Sequence, residues 1–249
     1  MKYRTHGYRH ADFLFENLED YRSEWGEILE SLDAISDEMI INEFENERRE
    51  AKSISQAINQ LVKNELVKRG WTSESYIFAD KEYGRHAKRK GTWRLDFAKN
   101  NLSVEVAFNH RSDISWNLIK PTLASELNYV EKAIQTSGGV IVTATESMKE
   151  AGGFDNACGT YEDYVQYLKP MGMMLPAPLV IIGLEPPESF EIMVGKGKGT
   201  SKKGSVRRYA LIDCSGRSAC PNCGCLIDKD EDACRECGCS IAWPKGQNG

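Results

Sequence analysis

Two acids within a short apolar stretch, Asp96 and Glu105, are the residues of this chain whose type and spacing most directly suggest chemistry. Eight residues separate them. Leu95-Asp96-Phe97 and Leu102-Ser103-Val104-Glu105-Val106-Ala107-Phe108 read as short strands, and Lys99-Asn100-Asn101 between them supplies a polar turn. A hairpin of this kind sets the two carboxylates on neighbouring strands in partly apolar surroundings. Held there they repel each other, and a divalent cation relieves the repulsion while gaining hard oxygen ligands. Magnesium is the expected ion.

The C-terminus carries a second constellation. Cys220-Pro221-Asn222-Cys223-Gly224-Cys225 and Cys234-Arg235-Glu236-Cys237-Gly238-Cys239 repeat one pattern, Cys-x-x-Cys-Gly-Cys, with ten residues between Cys223 and Cys234. Two Cys-x-x-Cys knuckles offer four thiolates to a tetrahedral zinc, so Cys220, Cys223, Cys234 and Cys237 are the expected ligands. Cys225 and Cys239 are surplus, and one of them could replace a neighbour. The alternative, a disulfide cluster, needs an oxidising compartment that nothing else in the chain suggests. The segment resembles a zinc ribbon and is too short to hold a core alone, so the metal would supply its folding energy.

A chain of 249 residues fits one large domain with a small appendage, divided as 1–213 and 214–249. No apolar run approaches membrane-spanning length and the N-terminus lacks a signal-peptide core, so a cytoplasmic protein is expected. The net charge of −5 argues against a nucleic-acid partner, yet it is unevenly spread. Asp12 to Glu50 holds fourteen acids against three Lys or Arg, whereas Lys81–Lys90 and Lys196–Arg208 are strongly basic.

The first seventy residues read as helices. Leu14, Leu18 and Tyr21, then Trp25, Ile28, Leu29 and Leu32, recur at helical spacing with acids between them, which suggests a solvated acidic face. Another helix is expected from Ser53 or Ser55, either as cap, carrying Ile58, Leu61, Val62, Leu66 and Val67 inward before a stop at Gly70. Thr72–Gly91 reads as loop. Asp113–Thr136 reads as a long helix with Asp113 as its candidate cap and Pro121 marking a kink or a break. Gly139–Thr145 and Leu179–Leu184 read as buried strands, and Ala151–Met174 is left open.

Several of these features together resemble the type II restriction endonucleases of the BglII kind, within the PD-(D/E)xK nuclease superfamily. The resemblance covers much of residues 1–213: Tyr8-Arg9-His10-Ala11-Asp12 at the start, Asn59 to Trp71 before the hairpin, Leu95-Asp96-Phe97 with Val104-Glu105-Val106-Ala107-Phe108, and Leu179 to Leu184. It implies an α/β nuclease core, a central mixed sheet flanked by helices, here with a small zinc ribbon added. It also implies hydrolysis of double-stranded DNA by a symmetric homodimer at a short palindromic site, with a GATC core and 5′ overhangs. Asp96, Glu105 and the carbonyl of Val106 would hold magnesium, and Glu74 would be a further active-site residue. Asn109, His110, Arg111 and Ser112 lie where that family contacts bases, since Asn pairs with adenine and Arg with guanine. A polar turn capping the next helix accounts for the tetrapeptide equally well. Lys196, Lys198, Lys202, Lys203, Arg207 and Arg208 would follow the phosphate backbone as a flexible loop, or merely link to the ribbon.

The chain departs from the pattern at Ala107, where the superfamily commonly carries a lysine that orients the attacking water. Asn109 and Lys120 join Glu74 as candidates to replace it. Two other readings remain open: a catalytically inactive DNA-binding protein, and a modification-dependent endonuclease whose ribbon reads modified bases or another protein.

Overall fold

The computed structural model describes residues 1–46, 51–80, 83, 93–126, 130–197, 199, 201–212, 217–229 and 231–243. Its centre is a six-stranded mixed sheet of β1 (Tyr3–Tyr8), β2 (Thr72–Tyr76), β3 (Arg94–Lys99), β4 (Leu102–Val106), β5 (Gly138–Ala144) and β6 (Leu179–Leu184). The order is β1-β6-β5-β4-β3-β2. The pairs β4/β5 and β5/β6 are parallel, and the outer pairs are antiparallel. Every residue of β5 and β6 is buried, which is why these strands read as unbroken apolar runs.

Helices cover both faces. On one lie α1 (Ala11–Asn17), α2 (Glu19–Asp33), α3 (Asp37–Asn46) and α4 (Ser55–Lys68), whose Phe15, Trp25, Ile28, Leu32, Ile41, Ile58 and Leu66 pack with Val104, Val140, Val142 and Ile182 of the sheet. On the other, α5 (Ile114–Glu126) and α7 (Tyr161–Leu168) bring Ile114, Leu118, Tyr164 and Leu168 onto Ala107, Ile141 and Ile181. The short α6 (Glu146–Ala151) follows β5. Among the described residues, no helix is long and apolar enough to cross a membrane.

Several sequence expectations need correction. The N-terminal region is not all helical: Tyr3–Tyr8 adds an antiparallel edge strand to β6. It carries no apolar run because one edge of it meets solvent. Thr72–Tyr76 pairs with β3 rather than forming loop. Neither Ser53 nor Ser55 caps α4; Ile54 occupies that place, its N–H donating to Gly152 O, and Val67, expected inward, is exposed because it lies one step round the helix from the buried Leu66. Gly70 does end α4, at φ +84, in a Schellman closure with Gly70 N–H on Val67 O and Trp71 N–H on Leu66 O. α5 begins at Ile114 after a short 3-10 turn and is described to Glu126, continuing through Pro121, and residues 130–136 are not helical. Ala151–Met174 contains α7, started by a Thr160/Asp163 capping box.

The basic segment near residue 200 is likewise not a flexible loop. It forms the hairpin β7 (Phe190–Lys196) and β8 (Lys202–Tyr209). Gly204 donates to Ala51 O, and a Cβ on it would stand 2.5 Å from Lys52 O, so only glycine permits this docking. The strand β11 (Ile241–Ala242) then pairs with β8 in parallel, and Ala210 shares a small core with Cys220, Cys234 and Ile241. Two short strands, β9 (Leu211–Ile212) and β10 (Ser218–Ala219), pair ahead of the knuckles.

The acidic face of α2 is not simply solvated. Glu24 is buried and accepts from Asn100 Nδ2, while Glu27 accepts from Lys99 Nζ at 2.6 Å and from Trp71 Nε1 at 2.8 Å. Two acids of α2 thereby grip the turn of the β3–β4 hairpin, where Asn100 takes the left-handed conformation (φ 45) that Asn tolerates. Glu27→Ala leaves the Trp71 indole without its acceptor and the Lys99 ammonium with only the Arg69 carbonyl, and we expect it to destabilise the chain by about 1–3 kcal/mol. Urea denaturation of the variant beside the wild type checks this.

Candidate active site

The register Phe97↔Val104, Ala98↔Ser103 and Lys99↔Leu102, extended by one pair, sets Asp96 opposite Glu105. At that point side chains replace the backbone ladder: Glu105 Oε1 accepts from Asp96 N–H at 3.3 Å, and Asp96 Oδ2 accepts from Val106 N–H at 2.9 Å. Each carboxylate is thus oriented by the opposite strand. Glu105 is only 1% exposed, and α5 delivers Lys120 Nζ directly onto its Oε2.

Burial, then the charge of Asp96, push the Glu105 carboxyl up to about 8 in spite of the Lys120 ammonium. Burial also raises Asp96, opposed by Lys120 and by the Val106 N–H. Two acids that stay costly to ionise together, with oxygens converging on one cleft, suit a hard divalent cation better than they suit the bare protein. The residues present therefore fit a magnesium site made by Asp96, Glu105 and the adjoining backbone of Val106.

The cleft has a volume of about 490 Å³ and is lined by Asp96, Glu105, Val106, Lys120, Glu74 and Asn109 among others. Glu74 lies on β2 in line with Asp96, between the pairs Ser73↔Phe97 and Ser75↔Leu95, and pairs with Arg94 Nη1 at 2.5 Å. Its φ of 55 is left-handed, a conformation that costs a non-glycine residue about 1–3 kcal/mol and that collects at functional sites. Ala107, two residues on from Glu105 and on the same face of the strand, is buried in a core cluster with Ile114 and Leu118 of α5. Its small side chain lets α5 lie close to β4, which is what carries Lys120 to the carboxylates.

Asn109, His110, Arg111 and Ser112 are exposed beyond the end of β4. Asn109 Oδ1 accepts from buried Asn117, and Arg111 pairs with Asp163 at 2.9 Å. Lys196, Lys202 and Lys203 are exposed on the β7–β8 hairpin. Arg207 and Arg208 on the same hairpin pair with Asp232 and Glu38, so they tie the tail and α3 together rather than standing free for a phosphate. Lys198 and nearly all of Lys81–Lys90 lie outside the described residues. The sequence reading missed one wall of the cleft: Ser55, Gln56, Asn59 and Lys63, on one side of α4. Their spacing along the polar face of an amphipathic helix was the available signal, and it did not indicate what that face looks onto.

In the tail the Sγ atoms of Cys220, Cys223, Cys234 and Cys237 all lie within 4.8 Å of one another. Across the knuckles, Cys220 and Cys237 are 3.6 Å apart and Cys223 and Cys234 3.7 Å. A tetrahedral zinc with bonds of about 2.3 Å sets its sulfurs about 3.8 Å apart, so this group is suited to holding a thiophilic metal.

The raised Glu105 carboxyl has a consequence for stability. In metal-free protein between pH 4.5 and about 8 the folded state keeps a proton that the unfolded state has lost, so stability from this group is full below pH 4.5 and falls as pH rises through about 8. The stability of Glu105→Gln minus that of wild type should therefore increase from pH 5 to pH 9 in chelator. Chemical denaturation at both pH values checks the sign.

The sequence model of the family described as restriction endonuclease BglII/BglIII matches residues 3–184. No curated protein matches the chain. Among solved structures, the chain is similar to restriction endonuclease BglII complexed with a DNA 16-mer, with a TM-score of 0.56 and 18% identity over 91% of this chain and 99% of that one. It also aligns with free BglII, at a TM-score of 0.48 and 21% identity over 88% and 99%.

Proposed function

The chain belongs to the BglII/BglIII restriction endonuclease family, and is thereby a type II site-specific deoxyribonuclease; from that premise we propose that it cuts double-stranded DNA with magnesium held by Asp96 and Glu105, at a short palindromic site. The observation that carries this reading is the opposed pair Asp96/Glu105 with Lys120 on the same carboxylate cluster. Bound there, magnesium would supply a Lewis acid that acidifies water and stabilises charge on the scissile phosphate.

The chain's own groups do the rest. Asp96 and Glu105 are aimed by strand amides, and a cation binding between them would displace the proton that Glu105 otherwise keeps. Lys120 Nζ has three N–H donors and gives one to Glu105, leaving two for the attacking water and a phosphate oxygen. It stands in for the group absent at Ala107, which favours an active enzyme over an inactive DNA-binding protein. Glu74 flanks Asp96 across the cleft mouth, where its carboxylate can accept a hydrogen bond from water. Lys63 of α4 and the exposed Lys196, Lys202 and Lys203 suit phosphate contacts, and Asn109 to Ser112 suit base edges. One chain carries one such site, so cutting both strands at equivalent positions calls for a two-fold homodimer, with the palindrome mirroring its axis. The GATC core and 5′ overhangs follow the family resemblance.

Residues 1–213 would form the nuclease and 214–249 a zinc-holding module, docked through β8 and β11. Cys220, Cys223, Cys234 and Cys237 would be the zinc ligands, with zinc chosen for its match to four thiolates.

Purified protein should cut plasmid DNA with magnesium or manganese and not in chelator. Asp96→Asn and Glu105→Gln should abolish cutting without loss of folding. Lys120→Met should lower the rate about a hundredfold or more while DNA binding persists. Sequencing the cut ends tests the site: asymmetric positions or 3′ extensions, or full activity in either acid variant, would refute the reading. Elemental analysis should also find about one zinc per chain in protein prepared without chelator, and its absence would overturn the zinc assignment.

A further inference from the structure

Four thiols satisfy one tetrahedral ion, yet six sulfurs meet in the tail. Cys225 Sγ lies 3.4 Å from Cys223 Sγ and 3.2 Å from Cys234 Sγ. Cys239 Sγ lies 3.3 Å from Cys220 Sγ and also bonds to Cys237. Each surplus sulfur therefore caps an edge of the ligand tetrahedron made by one cysteine from each knuckle, and the two capped edges are opposite.

The backbone explains the symmetry. Gly224 and Gly238, at φ +75 and +71, close matching turns in which Gly224 N–H bonds Cys220 O and Gly238 N–H bonds Cys234 O. The chain then folds back so that Cys220 N–H meets Cys225 O and Cys234 N–H meets Cys239 O. Position 225, and position 239 by the same geometry, is thus directed at the metal site. The three sulfurs of Cys223, Cys225 and Cys234 are mutually separated by 3.4, 3.7 and 3.2 Å, close to the edge of about 3.8 Å expected for a zinc–thiolate tetrahedron.

We propose that Cys225 and Cys239 are reserve ligands of a six-thiol metal site, each able to take a coordination position when a neighbouring cysteine is lost. The proposal rests on the reading of the tail as a zinc site. Cys225 serves the edge Cys223–Cys234 and Cys239 the edge Cys220–Cys237. When a reserve thiol binds, its proton passes to solvent and the Zn–S bond formed replaces the one lost, leaving four thiolates on one ion.

The test uses the full-length chain, with metal content measured by elemental analysis and the ligand set read from the absorption of the cobalt(II)-substituted protein. Cys223→Ser should retain about one ion with a four-thiolate cobalt spectrum. Cys223→Ser/Cys225→Ser should lose the four-thiolate spectrum and weaken zinc binding at least tenfold. Cys225→Ser/Cys239→Ser should keep one ion on the four primary ligands. The proposal is overturned if Cys223→Ser already behaves like its double variant, or if Cys225→Ser/Cys239→Ser loses the ion, which would make those thiols obligatory. A wild-type chain that takes up neither zinc nor cobalt would instead bring down the zinc reading itself.

Discussion

Holding two carboxylates together out of water is the constraint around which the rest of this fold is arranged. Asp96 and Glu105 face each other across a strand pair, and one of them is almost wholly buried. Ionising both there is costly, as the upward displacement of Glu105 shows. Three parts of the molecule meet that cost. The strands give their own amide hydrogens to the two side chains, α5 gives an ammonium, and the cleft leaves room for a cation and a phosphate. Removing any one would leave a buried charge less compensated.

The position of Lys120 shows how a missing group is compensated by packing. Two residues beyond Glu105 the chain has a methyl group, and that methyl group lets a helix approach. Ala107, Ile114 and Leu118 form one apolar contact, and the next turns of α5 carry Lys120 to the carboxylate. A larger residue at 107 would hold α5 away and displace the ammonium. Burial and ion pairing are thus coupled through a single small side chain.

Beyond residue 184, where the family match ends, the chain builds an extension on different principles. The β7–β8 hairpin buries Phe190 and Ile192 in the main core, with Val206 packed against it, and is held as well by its contact with the segment before α4. The knuckles have almost no core of their own and converge on sulfur. Arg207 and Arg208 are spent on Asp232 and Glu38, so the extension is braced against the nuclease core by charge as well as by the β8–β11 pair.

What the sequence determined by itself were features written in local pattern: the hairpin bearing Asp96 and Glu105, the apolar strands β5 and β6, the helix that Gly70 ends, and the paired Cys-x-x-Cys knuckles. Each depends on residues close in the chain, where periodicity, turn chemistry or ligand spacing suffices. Other features were settled only by tertiary structure, because their signal lies in a partner far along the chain. The edge strand Tyr3–Tyr8 exists because β6 offers it a ladder, and the Lys- and Gly-rich stretch near 200 is a hairpin because Ala51 and Lys52 receive it. Glu24 and Glu27 read as surface charge until the hairpin turn met them. Lys120 read as one of three candidates for the group missing at Ala107, and only the packing of α5 decided that it is the one whose ammonium meets Glu105.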